Sequence, residues 1–593
     1  MPITLTIPGS KSLTNRALVL AALGNKTVRI KNYADCTDTK YMILGLKKLG
    51  IKISQTKKDL IVKGCAGKFK PLTSPIKIFT ENAGTTTRFL TAFSTLTGNK
   101  IIIDGSKRGR QRPIQELISA LNSLGSKIKT TNGHLPLTIF PQKFTGGSVE
   151  LKGNISSQYL SAIMMIAPFV EKNTTIDIVQ KLYSTPYVLM TIKVMEAFGL
   201  SVLNKNFKQL VIKGKQIPNT PKTYEIESDA SSASYFGAYA ALHPNRAITL
   251  KNLSKNSLQG DITFLKYLQE TGCKITENKN GTTIAGPKIL KPLGVMDMNF
   301  TPDLVMTFAM LAIFTPGKTV IKNISNLKIK ETNRLAALKA EISKLPVKVK
   351  TTSSSIEIEG NPLLISSPPK KPISIKTYKD HRIAMCFGII QDLFPKLKIS
   401  DPDVVKKSYP DFWKDLKKVQ KAFQDLKTNI VLTGLRGSGK TKLGMLLAKK
   451  LEWDFIDTDK EIEKSEGKSI AKIVELHGWE YFRTKEKEIV KEVADLDKTI
   501  IATGGGTILD RDNEKILKKN GKIIYLYVTP DVCAQRIKNS TSRPPLTNKT
   551  SVKEEIEQLY KERNGRYCQS SSLIFHRTEN LEKDVENLIS QLF

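Results

Sequence analysis

Amphipathic segments that end at glycine recur over residues 1–425. Each shows a helical spacing of apolar residues closed by LKKLG, LNSLG, MEAFG or LQETG, and an alternating strand pattern follows at once. The glycines are Gly50, Gly125, Gly199 and Gly272, and Pro346 takes the same place in a fifth copy, ISKLP. Glycine accepts the left-handed conformation that closes a helix, and proline also stops one. The pattern therefore predicts a helix followed by a strand at five places.

The spacing of these helix ends is nearly constant. They follow one another at an interval of roughly 74 residues, and such a fixed period is the signature of repeated structural units, whereas ordinary alternation of helices and strands gives looser spacing. One more interval reaches WKDLKKVQKAF near Gln420, a pattern typical of a final helix. We therefore predict six α/β units that fill residues 1–425, with helices inside and sheets around them.

A different pattern begins near Lys427. The segment TNIVLTGLRGSGKTKLGMLLAKKLEWDFIDTD indicates an apolar strand over 430–433, a glycine-rich loop, a helix over 442–451 and a second strand. This order opens a parallel α/β domain. The sequence thus predicts one region over residues 1–425 and a second over residues 426–593.

The composition is that of an ordinary globular protein. With 40% hydrophobic and 25% charged residues, the chain is neither collagen-like nor wholly disordered. The six cysteines are scattered without CxxC, which argues against a disulfide framework or zinc site and favours a reducing compartment. The start MPITLTIPGSK does not resemble a secretory signal, and the apolar stretches fall short of the roughly 20 residues of a membrane span. We expect a cytoplasmic protein with no membrane partner.

The net charge of +38 raises the question of nucleic acid. Residues from Lys427 onward carry 30 basic and 26 acidic side chains, whereas the preceding residues carry 63 and 29. The excess is mostly dispersed lysine, which favours small anionic ligands over nucleic acid, and we expect a monomer. Arginine accounts for only 17 of the 93 basic residues. Its planar guanidinium therefore indicates sites that hold carboxylate or phosphate at two points.

A phosphate-binding loop stands between the predicted strand and helix of the second region. Residues 434–441 match GxxxxGK[ST] in full, and their placement argues against a glycine-rich turn that binds nothing. In such a loop the backbone N–H groups hold phosphates, Lys440 reaches the β and γ oxygens, and Thr441 ligates Mg²⁺. The residues predicted to bind ATP here are Gly434, Gly437, Ser438, Gly439, Lys440 and Thr441.

Further motifs follow the loop in order, namely DxD at 457–459, FR at 482–483, GGG at 504–506, RPPL at 543–546 and ERNGRY at 562–567. Together they resemble shikimate kinase over nearly all of residues 426–593. The resemblance implies that shikimate is held by Asp459, Arg483, Gly505 and Arg563. It implies further that Asp457 contacts Mg²⁺, that Arg536 and the lid residue Arg543 bind ATP, and that the catalytic residues are Asp459, Lys440 and Arg543. The chain departs from the family at Gly565 and Arg566, where Pro-Leu is usual.

Loop-to-helix segments in the first region carry the hydroxyls, amides and cations that bind oxyanions. They are PGSKSLTNR, ENAGTTTRF, RQRPI and ISSQYLSAI, and the later segments FTPDLVM, KETNR and DHR add carboxylates among cations. Each alone is more often a helix cap or a surface turn, and KETNR alone is typical of an exposed helical turn with charge pairs. Together, on repeated units, they predict one shared pocket for anions.

These motifs, in this order, resemble 5-enolpyruvylshikimate-3-phosphate synthase over residues 1–425. The resemblance implies an inside-out α/β barrel of two sub-domains, formed by residues 1–10 with 229–425 and by residues 11–228. It implies transfer of the enolpyruvyl group from phosphoenolpyruvate to the 5-hydroxyl of shikimate 3-phosphate, with release of phosphate and no cofactor. Asp303, Glu331 and Lys11 would move the protons.

The same resemblance assigns the binding residues. Those for shikimate 3-phosphate are Lys11, Ser12, Arg16, Ser156, Ser157, Gln158, Ser184, Asp303, Asn326 and Lys330. Those for phosphoenolpyruvate are Lys11, Gly84, Arg88, Arg112, Gln158, Glu331, Arg334, Arg382 and Lys407. Nearby cations should keep the carboxylates of Asp303 and Glu331 ionised, whereas exclusion of water should raise their pKa, and the sequence leaves that balance open.

We therefore predict a bifunctional enzyme of the shikimate pathway towards chorismate, with ATP and Mg²⁺ used by the second region. A competing hypothesis is a UDP-N-acetylglucosamine enolpyruvyl transferase fused to another small-molecule kinase. That family usually carries a cysteine before the RPI motif, and residues 106–111 contain none. Two further hypotheses are a basic nucleic-acid-binding ATPase and a regulatory scaffold with an inactive kinase. The intact Lys440, Thr441 and Asp459 argue against the scaffold.

Overall fold

The computed structural model describes residues 2–592 except 57, 73–74, 154–155, 181, 245, 280, 366–368, 370, 426–428 and 539–550. The chain divides into two compact units, Met1–Gln420 and Lys421–Phe593. In the described ranges, no helix is both long enough and apolar enough to cross a membrane.

The helices of the first unit carry the labels α1 to α13, and the last of them continues past the division between the units. They are α1 (Lys11–Leu23), α2 (Thr37–Lys48), α3 (Gly84–Ser94), α4 (Lys107–Arg110), α5 (Gln115–Ser123), α6 (Ser157–Ile166), α7 (Thr185–Ala197), α8 (Ala230–Ala241), α9 (Phe264–Glu270), α10 (Val305–Ala312), α11 (Arg334–Ile342), α12 (His381–Gly388) and α13 (Phe412–Asp425).

The strands of this unit carry the labels β1 to β22. They are β1 (Ile3–Thr6), β2 (Thr27–Lys31), β3 (Lys52–Gln55), β4 (Asp59–Lys63), β5 (Ile76–Phe79), β6 (Ile101–Asp104), β7 (Lys127–Thr131), β8 (His134–Phe140), β9 (Gly147–Lys152), β10 (Thr174–Val179), β11 (Leu203–Lys205), β12 (Gln209–Ile212), β13 (Thr223–Glu225), β14 (Ala247–Lys251), β15 (Lys274–Asn278), β16 (Gly281–Ala285), β17 (Val295–Asp297), β18 (Gly317–Lys322), β19 (Lys348–Thr351), β20 (Ser355–Gly360), β21 (Ile373–Ile375) and β22 (Leu397–Ile399).

Four of the five predicted helix ends are confirmed, and at the fifth, α11 ends at Ile342, four residues before Pro346, with β19 following. Helices α2, α5, α7 and α9 each stop two residues before the predicted glycine, and strands β3, β7, β11 and β15 follow. The glycines have the left-handed backbone that closes a helix, with φ of 88° at Gly50, 104° at Gly125, 75° at Gly199 and 101° at Gly272. Since an L side chain is strained in that conformation, glycine at these positions fixes the period of the repeat.

The sheets of the first unit repeat one arrangement. In the sheet β5-β6-β8-β7, β5 and β6 are parallel, and β8 is antiparallel to both β6 and β7. The same pattern is found in β1-β14-β16-β15, β13-β2-β4-β3, β11-β12-β10-β9 and β17-β18-β20-β19, and in the described residues the sixth sheet is the parallel pair β21-β22. Helices α3, α8 and α10 are buried along their whole length. The predicted fold of repeated units with helices inside is thus confirmed.

The sheets fall into two groups along the chain. Strands β2 to β13 form three sheets, which with their helices we call lobe A (residues 11–228); β1 and β14 to β22 form the others, which we call lobe B (residues 2–10 and 229–420). Strand β1 pairs with the distant β14, with Ile3 opposite Ile248. The chain passes between the lobes where Gly9 and Ser228 form a β-bridge.

The second unit is a parallel five-stranded sheet with helices. Its strand order is β24-β25-β23-β26-β27, and every pair is parallel, as predicted. The phosphate loop joins β23 to α14, so its N–H groups lie at the carboxyl edge of the sheet. The elements are β23 (Asn429–Thr433), α14 (Lys440–Leu451), β24 (Asp454–Asp457), α15 (Thr458–Glu466), α16 (Ile470–Ala494, interrupted at Gly478), β25 (Thr499–Ala502), α17 (Arg511–Asn520), β26 (Gly521–Tyr527), α18 (Pro530–Ile537), α19 (Val552–Ser570), β27 (Leu573–His576) and α20 (Leu581–Leu592).

Candidate active sites

A cavity of about 1230 Å³ in the first unit is lined by residues of both lobes. All but one of the residues assigned to the transferase substrates line it, namely Lys11, Ser12, Arg16, Gly84, Arg88, Arg112, Ser156, Ser157, Gln158, Ser184, Asp303, Asn326, Lys330, Glu331, Arg334 and Arg382. The exception, Lys407, lies beside the cavity, and its Nζ donates hydrogen bonds to Asp38 Oδ1 at 2.9 Å and to the Asn82 carbonyl at 2.8 Å.

Five helices begin at this cavity. Their first residues all line the cavity wall, and these are Lys11 of α1, Gly84 of α3, Ser157 of α6, Arg334 of α11 and His381 of α12. A helix N-terminus has N–H groups without intrahelical partners and carries a partial positive charge. The loop-to-helix motifs therefore place five such ends around one space, an arrangement that binds anions.

The side chains of the lining add a net positive charge. Cations outnumber carboxylates, with Lys11, Arg16, Arg88, Arg112, Lys330, Arg334 and Arg382 against Asp38, Asp229, Asp303 and Glu331. Several buried polar atoms, including Gln158 Oε1 and Asn326 Oδ1, have no hydrogen-bond partner among the described residues. Because a buried unpaired polar atom is costly, a polar ligand in the cavity would stabilise these groups.

Arg334 forms ion pairs with both Asp303 and Glu331, the two carboxylates assigned to proton transfer. Its side chain is 1% exposed and donates to Asp303 Oδ1 at 3.0 Å, to Glu331 Oε2 at 2.9 Å and to Asp380 Oδ2 at 2.8 Å. Arg382 Nη2 donates to the other oxygen of Asp303 at 2.7 Å. These forked contacts fix the orientation of both carboxylates towards the cavity.

The cations around Asp303 and Glu331 outweigh the effect of burial, so both carboxylates are ionised. Burial alone would raise the pKa of Asp303, but the charges of Arg382, Lys330 and Arg334 hold that pKa well below its usual range. Burial is likewise outweighed at Glu331, where Arg334 and neighbouring cations keep the pKa low. At Lys11, burial lowers the pKa, but Asp38 and Glu331 outweigh it and raise the pKa above its usual value. The cavity at rest therefore holds ionised carboxylates and a protonated lysine.

Asp38 is a site residue that the sequence interpretation missed. Its carboxylate is 3% exposed and bridges two lysines, with Lys11 Nζ at 2.9 Å from Oδ2 and Lys407 Nζ at 2.9 Å from Oδ1. One lysine begins α1, and the other belongs to lobe B. Asp38 stands in the first turn of α2, where an acidic residue is ordinary, so no local pattern separated it from a helix cap.

A methyl group at residue 84 would collide with a cation of the cavity. A Cβ on Gly84 would lie 2.6 Å from the guanidinium atoms of Arg112. We therefore expect Gly84→Ala to displace Arg112 and to raise the KM for phosphoenolpyruvate, the substrate that the resemblance assigns to this residue, about tenfold, equivalent to about 1.4 kcal/mol of binding. The KM for shikimate 3-phosphate, measured in the same variant, serves as the internal control. Unchanged values for both substrates would show that this contact is unimportant.

Asp261 is a buried carboxyl close to the cavity wall. Burial and the charge of Asp303 raise its pKa to about 7, while Arg382 opposes them, Asp229 adds to them and Ser231 donates a hydrogen bond to it. The folded protein therefore keeps this proton up to about pH 7, whereas an unfolded aspartate releases it near pH 4. The resulting stabilisation is complete below about pH 4 and is lost as the pH rises through 7.

We expect Asp261→Asn to remove this pH dependence. Relative to wild type, the free energy of unfolding of the variant should rise by roughly 2–4 kcal/mol between pH 5 and pH 8. Urea unfolding of both proteins at the two pH values measures the difference. Stability curves that stay parallel over this range would contradict the raised pKa.

The phosphate loop of the second unit has the geometry of an anion cradle. Gly434, Gly437 and Gly439 adopt positive φ, and a Cβ on Gly437 would lie 2.6 Å from the Cys533 carbonyl. Lys440 Nζ donates to the carbonyls of Gly434 and Leu435, each at 3.0 Å. The buried Ser438 Oγ has no hydrogen-bond partner in the described part of the chain. A phosphate group fits these donors.

An oxygen pair suited to Mg²⁺ lies at the end of this loop. Thr441 Oγ1 donates to Asp457 Oδ2 at 2.6 Å, and Asp457 Oδ1 accepts from the backbone N–H of Asp459 at 3.1 Å. Hydroxyl and carboxylate oxygens are the hard ligands that Mg²⁺ takes alongside phosphate oxygens. Arg536 lies near the loop, with Nη1 3.9 Å from a Cβ placed on Gly439, whereas Arg543 and the RPPL segment lie outside the described residues.

A cavity of about 500 Å³ adjoins the loop. It is lined by all four residues assigned to shikimate, Asp459, Arg483, Gly505 and Arg563. A side chain at either glycine that flanks Gly505 would displace an assigned residue, because a Cβ on Gly504 would lie 2.6 Å from Asp459 Oδ1 and one on Gly506 would lie 2.5 Å from Arg483 Nη2. The lining also includes residues that the sequence interpretation did not assign, Arg436, Ile470, Trp479, Phe482, Glu486, Gly504 and Gly506.

Two family models match the chain: the EPSP synthase (3-phosphoshikimate 1-carboxyvinyltransferase) model over residues 3–416 and the shikimate kinase model over residues 436–593. The pentafunctional AROM polypeptide 1 of Lodderomyces elongisporus is 34% identical over 614 residues, covering 97% of this chain and 39% of that protein. The pentafunctional AROM polypeptide of Saccharomyces cerevisiae is 33% identical over 628 residues, covering 96% and 39%. The chain thus spans about two fifths of the length of these relatives.

A solved EPSP synthase from Acinetobacter baumannii has a similar fold to the first unit. The alignment covers 70% of this chain and 95% of that chain, with 21% sequence identity and a TM-score of 0.57. The structural likeness therefore agrees with the repeated α/β architecture described above.

Proposed function

Since the chain belongs to the EPSP synthase family through residues 3–416 and matches the shikimate kinase family through residues 436–593, we propose that it catalyses two consecutive reactions. The second unit transfers phosphate from ATP to the 3-hydroxyl of shikimate. The first unit transfers the enolpyruvyl group of phosphoenolpyruvate to the 5-hydroxyl of the resulting shikimate 3-phosphate. The observation that carries the proposal is the cation-rich cavity that contains two ionised carboxylates beside a protonated lysine.

In the transferase step, the ionised Asp303 can accept the proton of the 5-hydroxyl as its oxygen attacks C2 of phosphoenolpyruvate. Carbon C3 gains a proton at the same time, and Lys11, or Glu331 once it has accepted a proton, can supply it. The C3 methyl of the tetrahedral adduct then returns a proton to the group that supplied it, and phosphate leaves as hydrogen phosphate with the proton that Asp303 took from the 5-hydroxyl. The number of protons on the protein is then restored, and the cations of the wall stabilise the charge that develops.

In the kinase step, the loop N–H groups hold the phosphates of ATP, and Lys440 Nζ exchanges its carbonyl contacts for phosphate oxygens. Asp459 can accept the proton of the 3-hydroxyl as that oxygen attacks the γ-phosphorus and ADP leaves. Arg483 and Arg563 bind the substrate carboxylate. Thr441 and Asp457 would hold Mg²⁺, which supplies positive charge to the phosphate oxygens when bound.

The remaining parts of the proposal concern partners and organisation. We propose that residues 1–425 act as the transferase without a cofactor, with sub-domains of residues 1–10 plus 229–425 and of residues 11–228, and that residues 426–593 act as the kinase. A monomeric state, a cytoplasmic location and the lack of nucleic-acid or membrane partners stay predictions. Size-exclusion chromatography with light scattering would test the first of them.

Separate assays of the two steps test the proposed function. Shikimate with ATP should yield ADP, and shikimate 3-phosphate with phosphoenolpyruvate should yield inorganic phosphate. Shikimate, ATP and phosphoenolpyruvate together should yield both ADP and inorganic phosphate. UDP-N-acetylglucosamine in place of shikimate 3-phosphate is the control and should release no phosphate. Phosphate release with the sugar nucleotide alone would instead support the UDP-N-acetylglucosamine enolpyruvyl transferase.

A further inference from the structure

Three arginines stand close together in the segment KRGRQRPI, and they have different partners. Arg112 lines the cavity, and its Nη1 lies 3.9 Å from Glu331 Oε1. Arg110 is exposed and pairs with Asp104 of its own lobe at 2.6 Å. Arg108 instead reaches from lobe A to the backbone of lobe B. It belongs to no set of residues assigned above, and its contacts point to a role in the reaction.

The guanidinium of Arg108 binds two consecutive carbonyl groups. Its Nη2 donates to the carbonyl of Lys330 at 2.8 Å, and its Nε donates to the carbonyl of Glu331 at 2.9 Å. Both residues turn their side chains into the cavity wall. A rigid fork that holds two successive carbonyls fixes the orientation of the peptide between them, and therefore the direction in which the Glu331 side chain leaves the backbone.

The backbone that carries Arg108 is itself held in place. Arg108 stands in the short helix α4, and the Ser106 N–H that precedes this helix donates to the Glu81 carbonyl at 3.0 Å. Gly105 and Gly109 allow this close approach, because a Cβ at these positions would lie 2.5 Å and 2.2 Å from the same carbonyl oxygen. The fork is therefore held firmly on lobe A, beside the segment that carries Gly84.

The segment that Arg108 holds has little regular structure of its own. Lys330 is extended and ends a 3-10 turn, and α11 begins only at Arg334. Arg108 and Glu331 also line an open cavity of about 1430 Å³ on the outer side of the wall. Space left by a shorter side chain would therefore fill with water, which cannot hold two carbonyls in a fixed relation.

We propose that Arg108 is a positioning residue of the transferase: by binding the carbonyls of Lys330 and Glu331 from lobe A, it holds the Glu331 carboxylate in the orientation that the reaction needs. Glu331 is thus held from lobe A at two points, by Arg112 at its side chain and by Arg108 at its backbone. This inference rests on the proposed transferase function. Arg108 touches no reacting atom, and its effect passes through Glu331.

The test compares Arg108→Met with Arg110→Met in the full chain. Arg110 is a matched control, because it stands two residues away in the same helix and makes an exposed ion pair within lobe A, a kind of contact that contributes little. We expect Arg108→Met to lower kcat for enolpyruvyl transfer about 10- to 100-fold with a smaller change in either KM. Arg110→Met should keep kcat within about twofold of wild type. Arg108→Lys should recover only part of the loss, because an ammonium lacks the fork.

A pH profile separates positioning from a merely structural role. The charged groups around Glu331 are Arg334, Arg112, Lys407, Lys11, Lys330, Arg88 and Asp303, and the buried His381 beside them is neutral because burial lowers its pKa. If Glu331 loses its position among these cations, its pKa should rise, and the acidic limb of kcat should move to higher pH in Arg108→Met but not in Arg110→Met. The unfolding temperature without substrates should be the same in both variants.

The outcomes are distinguishable. A wild-type chain that does not release phosphate from phosphoenolpyruvate and shikimate 3-phosphate would refute the proposed function itself. An active wild type with near-normal kcat in Arg108→Met would overturn this inference alone. A lower kcat with an unshifted pH profile would also overturn it. If Arg108→Met does not fold, Arg108→Lys decides, since full activity in that variant would show that the fork is unnecessary.

Discussion

Asp303→Asn should lower turnover of the proposed transferase by about 10²–10⁴-fold, the range for loss of a positioned acid or base. The amide keeps the size of the side chain, and its oxygen can still accept a hydrogen bond from Arg382 or Arg334, but it takes up no proton. Because one negative charge leaves a cavity that binds anions, both substrates should bind at least as well as in wild type. Single-turnover rates and equilibrium binding of shikimate 3-phosphate measure the two effects separately.

The control for this prediction is Asp297→Asn, at the end of β17 in the same lobe. Asp297 is exposed and accepts a hydrogen bond from Asn323 at 2.7 Å, outside the cavity lining. Its replacement should leave turnover within about twofold of wild type, as for most surface changes. Near-normal turnover in Asp303→Asn would remove that carboxylate from the proton transfer.

Lys440→Ala should reduce phosphorylation of shikimate by at least about 10²-fold, because the loop loses the cation that meets the transferring phosphate. Transfer of the enolpyruvyl group to supplied shikimate 3-phosphate should be unchanged. Among the described residues, the lining of the cavity in the first unit runs from Lys11 to Ser408, and the second unit begins at Lys421. ADP formation and phosphate release, measured on the same preparation, give both values.

Lys442→Ala is the matched control, since Lys442 is exposed on the same helix two residues further on. It should keep both activities. Loss of enolpyruvyl transfer in a folded Lys440→Ala protein would mean that the two reactions share residues, contrary to the division proposed here.

The periodic part of the fold could be predicted because its cause is local. Gly50, Gly125, Gly199 and Gly272 each allow a backbone conformation that other residues avoid, so the helix ends are visible in the sequence itself. The order of strands within each sheet depends on contacts between residues that are far apart in the sequence. Strand β1, for example, pairs with β14 rather than with a neighbour in sequence, and no pattern within either strand indicates the partner.

The same distinction applies to the site. Motif residues such as Gly84 and Arg334 were found because they stand in recognisable segments, whereas Asp38 was not, since its partners lie 27 and 369 positions away. The ionisation of Asp303 could not be predicted either. It depends on how close Arg382, Lys330 and Arg334 come to Asp303 in the folded chain, where their charges lower its pKa by more than burial raises it.

The pairing of β1 with β14 also orders events during synthesis. Ile3 cannot pair until Ile248 has left the ribosome. The interval between the synthesis of these two residues is about 12–50 s at the usual ~5–20 residues per second. In that time all three sheets of lobe A can form, while β1 remains an unpaired edge. At four residues it is too short to be a strong template for a wrong partner. Strand β1 is translated before lobe A but is placed only after that lobe is complete, and slower translation through β14 should lengthen the life of this half-built intermediate.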